Sequence, residues 1–176
     1  MPVAETQLIP LQELASGEAG TIRNQVIKNL VALAASELKR LPDQLVVRDI
    51  RPATDLDFAT EDWFEVTGAT AAAYETMCTG TLSTDRYIAF YGAKDDGMQS
   101  CTLLRFDIGG GIKVIWNLQS LSLSMDDERV GYSPSGVIIK PSTIYTISRY
   151  VQFASSPSHI VLKGVVVEPR GRVISP

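Results

Sequence analysis

The hydrophobic rhythm of the chain changes once, at Pro42, and that change constrains the fold more than any other feature. Before it, Ile22, Val26, Leu30, Leu33, Ala34, Leu38 and Leu41 recur at steps of three and four. That is the period of one face of an α-helix, and it predicts a helix over Thr21–Leu41. Ile27 and Val31 widen the stripe, while Arg23, Asn24, Lys28, Glu37 and Lys39 lie off it. Lys39 and Arg40 suit the negative pole of the helix dipole. Pro42 is expected to stop the helix, because the residue before a proline is steered away from helical angles.

After Pro42 the period falls from 3.6 to 2. Strands are expected at Leu45–Ile50, Trp63–Thr67, Tyr74–Thr81, Tyr87–Gly92, Thr102–Ile108, Ile112–Leu118, Gly136–Ile139, Thr143–Phe153 and Ile160–Val167. All are rich in β-branched and aromatic residues and bounded by turn residues. Asp95-Asp96-Gly97 and Gly109-Gly110-Gly111 read as hairpin turns. Ile88 and Phe90 face one way and Tyr87 and Tyr91 the other; Leu104, Phe106 and Ile108 oppose Arg105 and Asp107. Strands with one wet face belong to antiparallel sheets. The fold class is therefore mainly β, an antiparallel β-sandwich or jelly roll with an N-terminal arm and one amphipathic α-helix.

Two segments look unfinished. Residues 1–20 hold Pro2, Pro10, Gly17 and Gly20 around an apolar patch, Leu8, Ile9, Leu11 and Leu14, and form no convincing regular element. They read as an extended arm needing a docking surface, on this domain or a neighbour. Ile160–Val167 is apolar on both faces, with Val161, Val165 and Val167 opposite Ile160, Leu162 and Val166. Either it is a central strand covered twice or another subunit completes its surface. Interface candidates are thus Leu8, Ile9, Leu11, Leu14, Val161, Val165 and Val167. The simplest division is an arm and helix over 1–42 and a β-sandwich domain over 43–176, without internal repeats.

Bulk properties narrow the function. A 176-residue chain can bury roughly 70% of its unfolded surface, so it needs no metal or disulfide to hold a core. A net charge of −4 with scattered basic residues argues against nucleic acid as partner. Cys78 and Cys101 read as buried free thiols, with a bridge between them left open. No targeting signal stands at the N-terminus, and no apolar run approaches the ~20 residues needed to cross a bilayer. A soluble protein is expected, with neither membrane partner nor cofactor.

No catalytic constellation emerges. His159 is the single histidine, which rules out a multi-histidine metal site and reads as a solvated loop residue before a strand. Gly131-Tyr132-Ser133-Pro134-Ser135 lacks the final glycine of a nucleophile elbow. The glycines at 109–111 lack the frame of a phosphate loop. Asp55-Leu56-Asp57 and Asp126-Asp127-Glu128 are the densest acidic spots, without the ligand spacing of an EF-hand. Glycoside hydrolysis needs only two carboxyl groups, for which Glu65 and Glu75 are available near Trp63 and Tyr74. Non-catalytic sugar or receptor binding would use Trp63, Tyr74, Tyr91 or Trp116 as stacking platforms.

Two stretches carry a family resemblance. Val47-Arg48-Asp49-Ile50-Arg51-Pro52-Ala53-Thr54-Asp55-Leu56, followed by Trp63, resembles the start of the β domain in some tailed-phage structural proteins. The closing segment from Ile160 to Gly171 is similar in style. The resemblance implies a virion accessory component, a capsid decoration or cement protein. Such a protein would associate with itself and with a capsid or other virion protein. It carries over no functional residue. The leading expectation is a non-catalytic assembly protein of the virion; the alternative is a carbohydrate- or receptor-binding module.

Overall fold

A computed structural model describes residues 3–58, 63–67, 70–95, 101–119, 121, 129–154 and 157–171. The strands are β1 (Val3–Gln7), β2 (Ile9–Pro10), β3 (Leu45–Asp49), β4 (Phe64–Thr67), β5 (Ala73–Thr81), β6 (Tyr87–Asp95), β7 (Cys101–Ile108), β8 (Ile112–Asn117), β9 (Arg129–Ile139), β10 (Ile144–Val151) and β11 (Pro157–Pro169). The helices are α1 (Glu18–Leu38) and α2 (Pro52–Leu56).

The pairings are nested like one long hairpin: β7 with β8, β6 with β9, β5 with β10, and β3 and β4 with β11, all antiparallel. At its tip is the turn predicted at Gly109–Gly111, where Gly109 and Gly110 take φ of 61° and 69°. That left-handed backbone suits residues without a β-carbon. Rolling the hairpin sends alternate pairs to opposite sheets. The first sheet has order β1-β8-β7-β10-β5; the second has β2-β9-β6-β11-β3, with β4 also beside β11. This is a jelly roll, two sheets facing each other across a core. The expected Asp95–Gly97 turn falls mostly outside the described residues.

Alternation places the core. Leu104, Phe106 and Ile108 of β7 and Ile160, Leu162 and Val166 of β11 turn inward to Ile88, Phe90, Ile147 and Trp116. Phe106 lies edge-on against Trp116 at 4.8 Å. Arg105 and Asp107 stay on the outer face of the first sheet, as their alternation requires.

The second sheet departs from the expectation of one wet face. Tyr87, Ala89, Tyr91, Val130, Tyr132, Val165 and Val167 are buried against Ile22, Val26, Leu30 and Ala34 of α1. The helix lies across this face and makes a second core. A two-faced apolar β11 follows directly: one side faces the sandwich, the other faces the helix.

The helix itself sits three residues earlier than predicted. Glu18 accepts a bond from Ala15 N (2.9 Å), which favours the early start. Lys39 adopts a left-handed φ of 52° and ends the helix before Pro42 can act. Pro42 instead begins a 3-10 turn, Pro42–Gln44, that leads into β3. Leu41, counted in the stripe, is 64% exposed.

The arm also acquires structure. β1 pairs in parallel with β8, and β2 pairs with β9. Between them Leu8 turns into the main core and is 2% exposed. A β-carbon on Gly131 would lie 2.8 Å from Leu8 Cβ and 2.5 Å from Leu121 Cδ2, so the two leucines close over a bare glycine. No periodic pattern announces strands this short when both dock at sheet edges.

Candidate functional site

The predicted site residues scatter. Leu8, Val165 and Val167 are buried within this chain and cannot serve as contacts for another subunit. β11 is apolar on both faces because α1 covers it, not because a partner must. Ile9 is half-buried and Leu14 packs against the second core, while Leu11 is 45% exposed. Val161 is half-buried on the outer face of the second sheet.

The aromatic candidates separate in the same way. Trp116 is fully buried, and its indole N–H has no hydrogen-bond partner among the described residues; it is a core residue, not a platform. Tyr74 stands on the outer face of the first sheet with the Arg105 guanidinium 4.1 Å over its ring and Tyr150 edge-on at 5.1 Å. Its face is already occupied. Tyr91 is buried too, its ring stacked on Tyr132 at 6.4 Å, which leaves the half-buried Trp63 as the platform; the structure places Tyr91 beside it.

They line a cleft of about 330 Å³ with Arg23, Asp49, Ile50, Val161, Leu162, Lys163 and Gly164. Arg23 projects from the first turns of α1 and binds Asp49 of β3 at 3.0 Å. That bond raises the Arg23 guanidinium above its ordinary pKa, with a further contribution from the Tyr91 hydroxyl. Burial pushes the Tyr91 phenol up in turn. Lys163 reaches across Gly92 so that its ammonium stands 5.8 Å from the Tyr132 ring centre. A β-carbon on Gly92 would meet the Lys163 stem at 3.5 Å and the Tyr132 ring at 3.3 Å.

The reading of Glu65 and Glu75 as a catalytic pair finds no support in Glu75. It is held by Arg149 Nη2 at 2.9 Å and accepts a bond from Thr70 N (3.2 Å). The side chain of Glu65 lies outside the described residues, as do Asp126, Asp127 and Glu128. His159 is not on a loop; it is a half-buried residue of β11, opposite Glu65 in register. Cys78 and Cys101 are buried free thiols. Among the described residues no group of three or more His, Cys, Asp or Glu is placed to hold a metal ion.

A site that periodicity could not show lies under α2. Arg48 grips Asp55 through both terminal nitrogens (2.6 and 2.7 Å) and Glu168 through Nε (2.8 Å). Arg86 reaches the same two carboxylates at 2.9 and 3.1 Å, and Arg51 N donates to Asp55 at 2.7 Å. The carboxylates are buried, 0% and 3% exposed at the side chain. Hydrogen bonding to Asp55, then to Glu168, raises Arg48 above its ordinary pKa despite burial. The quartet pins α2 between β3 and the end of β11, beside a polar cavity of about 260 Å³ lined by Asp57, Ser83, Tyr145 and others. The available sequence signal was Glu168, a lone carboxylate closing an apolar strand. It shows that a buried charge needs a partner without saying which.

Among the described residues no strand pairs with the outer edge of the second sheet at β3. β3 ends the sheet on this side. Arg170 N donates to Gln44 O (2.8 Å) and Ile50 N to Gly164 O (3.4 Å). Even-numbered positions of β3 therefore turn their backbone groups to β11, and Leu45, Val47 and Asp49 turn theirs outward. Leu45 N is bonded to Pro42 O, and Asp49 O accepts from Arg48 Nη1 (3.2 Å). Val47 sits between them and is 38% exposed.

No family model matches the chain, and no curated protein matches it. Among solved structures it is similar to infectious bursal disease virus, Gx strain: TM-score 0.38 and 11% identity over 74% of this chain and 33% of that one. It is also similar to the infectious bursal disease virus VP2 subviral particle: TM-score 0.37 and 11% identity over 74% of this chain and 34% of that one. The chain thus spans about a third of the length of either. Both come from virus particles, neither from a tailed phage, and a likeness this distant fixes no function.

Proposed function

We propose that this chain is a structural subunit of a virus particle that works by binding copies of itself and a shell protein rather than by catalysis. The observation that carries the reading is the open β3 edge. An exposed strand edge presents unpaired N–H and C=O groups as a template for another strand, and proteins usually blunt such edges with charge, proline or a cover. Here its centre is Val47. Two β3 strands meeting antiparallel about a two-fold axis would satisfy both sets of groups and place Val47 against its counterpart. That contact is isologous, the commonest kind in soluble homo-oligomers.

The arm docks on its own domain, one of the two surfaces expected for it. With β1, β2 and Leu8 built into the sheets and core, deleting residues 1–15 would damage the fold along with any contact. A lysine in the middle of the edge is the cleaner perturbation. Light scattering of the wild-type chain over a concentration series should give a mass above 19.2 kDa. V47K should return that mass to a single chain without lowering the melting temperature. A wild-type chain that stays monomeric when concentrated, or a V47K chain that associates as before, would contradict the proposal.

A further inference from the structure

We infer that the cleft between the N-terminal half of α1 and β11 binds a sugar bearing a carboxylate. A sugar ring asks for an apolar surface under its C–H face and hydrogen-bonding groups around its rim. Trp63 and Val161 provide the first. Trp63 is half-buried, anchored edge-on against Phe58 at 6.3 Å. Arg23, Asp49 and the Tyr91 hydroxyl provide the second. Asp49 spends one oxygen on Arg23, and its side chain remains 74% exposed.

Charge selects the class of sugar. Arg23 is neutralised by Asp49, but Lys163 has no carboxylate partner among the described residues; its ammonium stands over the Tyr132 ring. A neutral sugar leaves that ammonium unmatched, whereas a carboxylate pairs with it in a charge-assisted bond. A bare anion would satisfy Lys163 and leave the Trp63 surface idle. At about 330 Å³ the cleft is near the lower end of the ~300–1,000 Å³ typical of small-molecule sites, enough for one or two rings. Two free glycan chemistries carry the group, sialic acids and uronic acids, and both are to be tried.

The wild-type chain is titrated with N-acetylneuraminate, glucuronate and galactose, followed by tryptophan fluorescence and saturation-transfer NMR. Trp63 is the half-exposed member of the two tryptophans and Trp116 the buried one, so a change in emission reports the cleft. At least one of the acids should give a saturable signal, with galactose tenfold weaker or worse; whichever acid binds tighter identifies the source. K163Q should weaken acid binding about tenfold and leave galactose unaffected. Raising salt should weaken the wild-type interaction, a readout that needs no variant. W63F should abolish the fluorescence change. The inference is overturned if no sugar gives a saturable signal, if galactose binds as well as the acids, or if K163Q and salt make no difference.

Discussion

Truncating Leu8 to alanine tests whether the N-terminal segment belongs to this molecule's core. Leu8 is 2% exposed and lies with Leu121 over Gly131, so its removal leaves a void that neither backbone nor the rigid sheet can fill. Leucine-to-alanine changes at such sites cost about 2–5 kcal/mol, transfer and cavity contributions together. For a domain of this size each kcal/mol moves the melting temperature by about 2–4 °C. Taking ~3 kcal/mol, L8A should melt roughly 6–12 °C below wild type, with an unchanged denaturant slope. The assay is chemical and thermal denaturation by circular dichroism at a concentration where the chain is monomeric. A loss below ~1 kcal/mol, the size expected of a surface leucine, would show that the arm does not dock and would undo the core described around it.

Two other predictions concern buried polar chemistry. E168A leaves Arg48 and Arg86 facing Asp55 alone, and breaking a buried ionic set by removing one partner costs about 3–5 kcal/mol; urea unfolding at neutral pH measures it, and a loss under ~1 kcal/mol would mean the quartet is solvated. Burial pushes the Cys78 and Cys101 thiols up from 9.0 to about 12. Folding therefore favours the protonated thiol: that contribution is complete below about pH 9 and is lost as the pH rises toward about 12. Alkylation at pH 8 should be slow in the native protein and fast after unfolding. Rapid native labelling would contradict the burial.

Much of this architecture was legible in the chain because periodicity reports local geometry faithfully. All nine expected strands are present, since alternation such as Leu104-Arg105-Phe106-Asp107-Ile108 has one pleated solution. What alternation cannot report is which element covers a face. Tyr87 and Tyr91 looked wet because tyrosine tolerates water, yet α1 buries both. Likewise Val165 and Val167 leave a covering element and a partner equally open in the sequence, because the cover lies more than a hundred residues earlier. The cleft was half visible: Trp63 and Tyr91 stood among the aromatic candidates, but nothing local joined them to Arg23 or Lys163. Only the rolled hairpin does so, by bringing β11 between β6 and β3 and laying α1 across them.

The account stands most directly on the edge of β3. Residue-resolved amide exchange should be followed by NMR from dilute to concentrated solution. The amides of Val47 and Asp49 should exchange freely when the chain is alone and become protected as it associates, while those of Val46 and Arg48, bonded to β11, stay protected throughout. Association with no added protection at Val47, or free exchange there at every concentration, would contradict it.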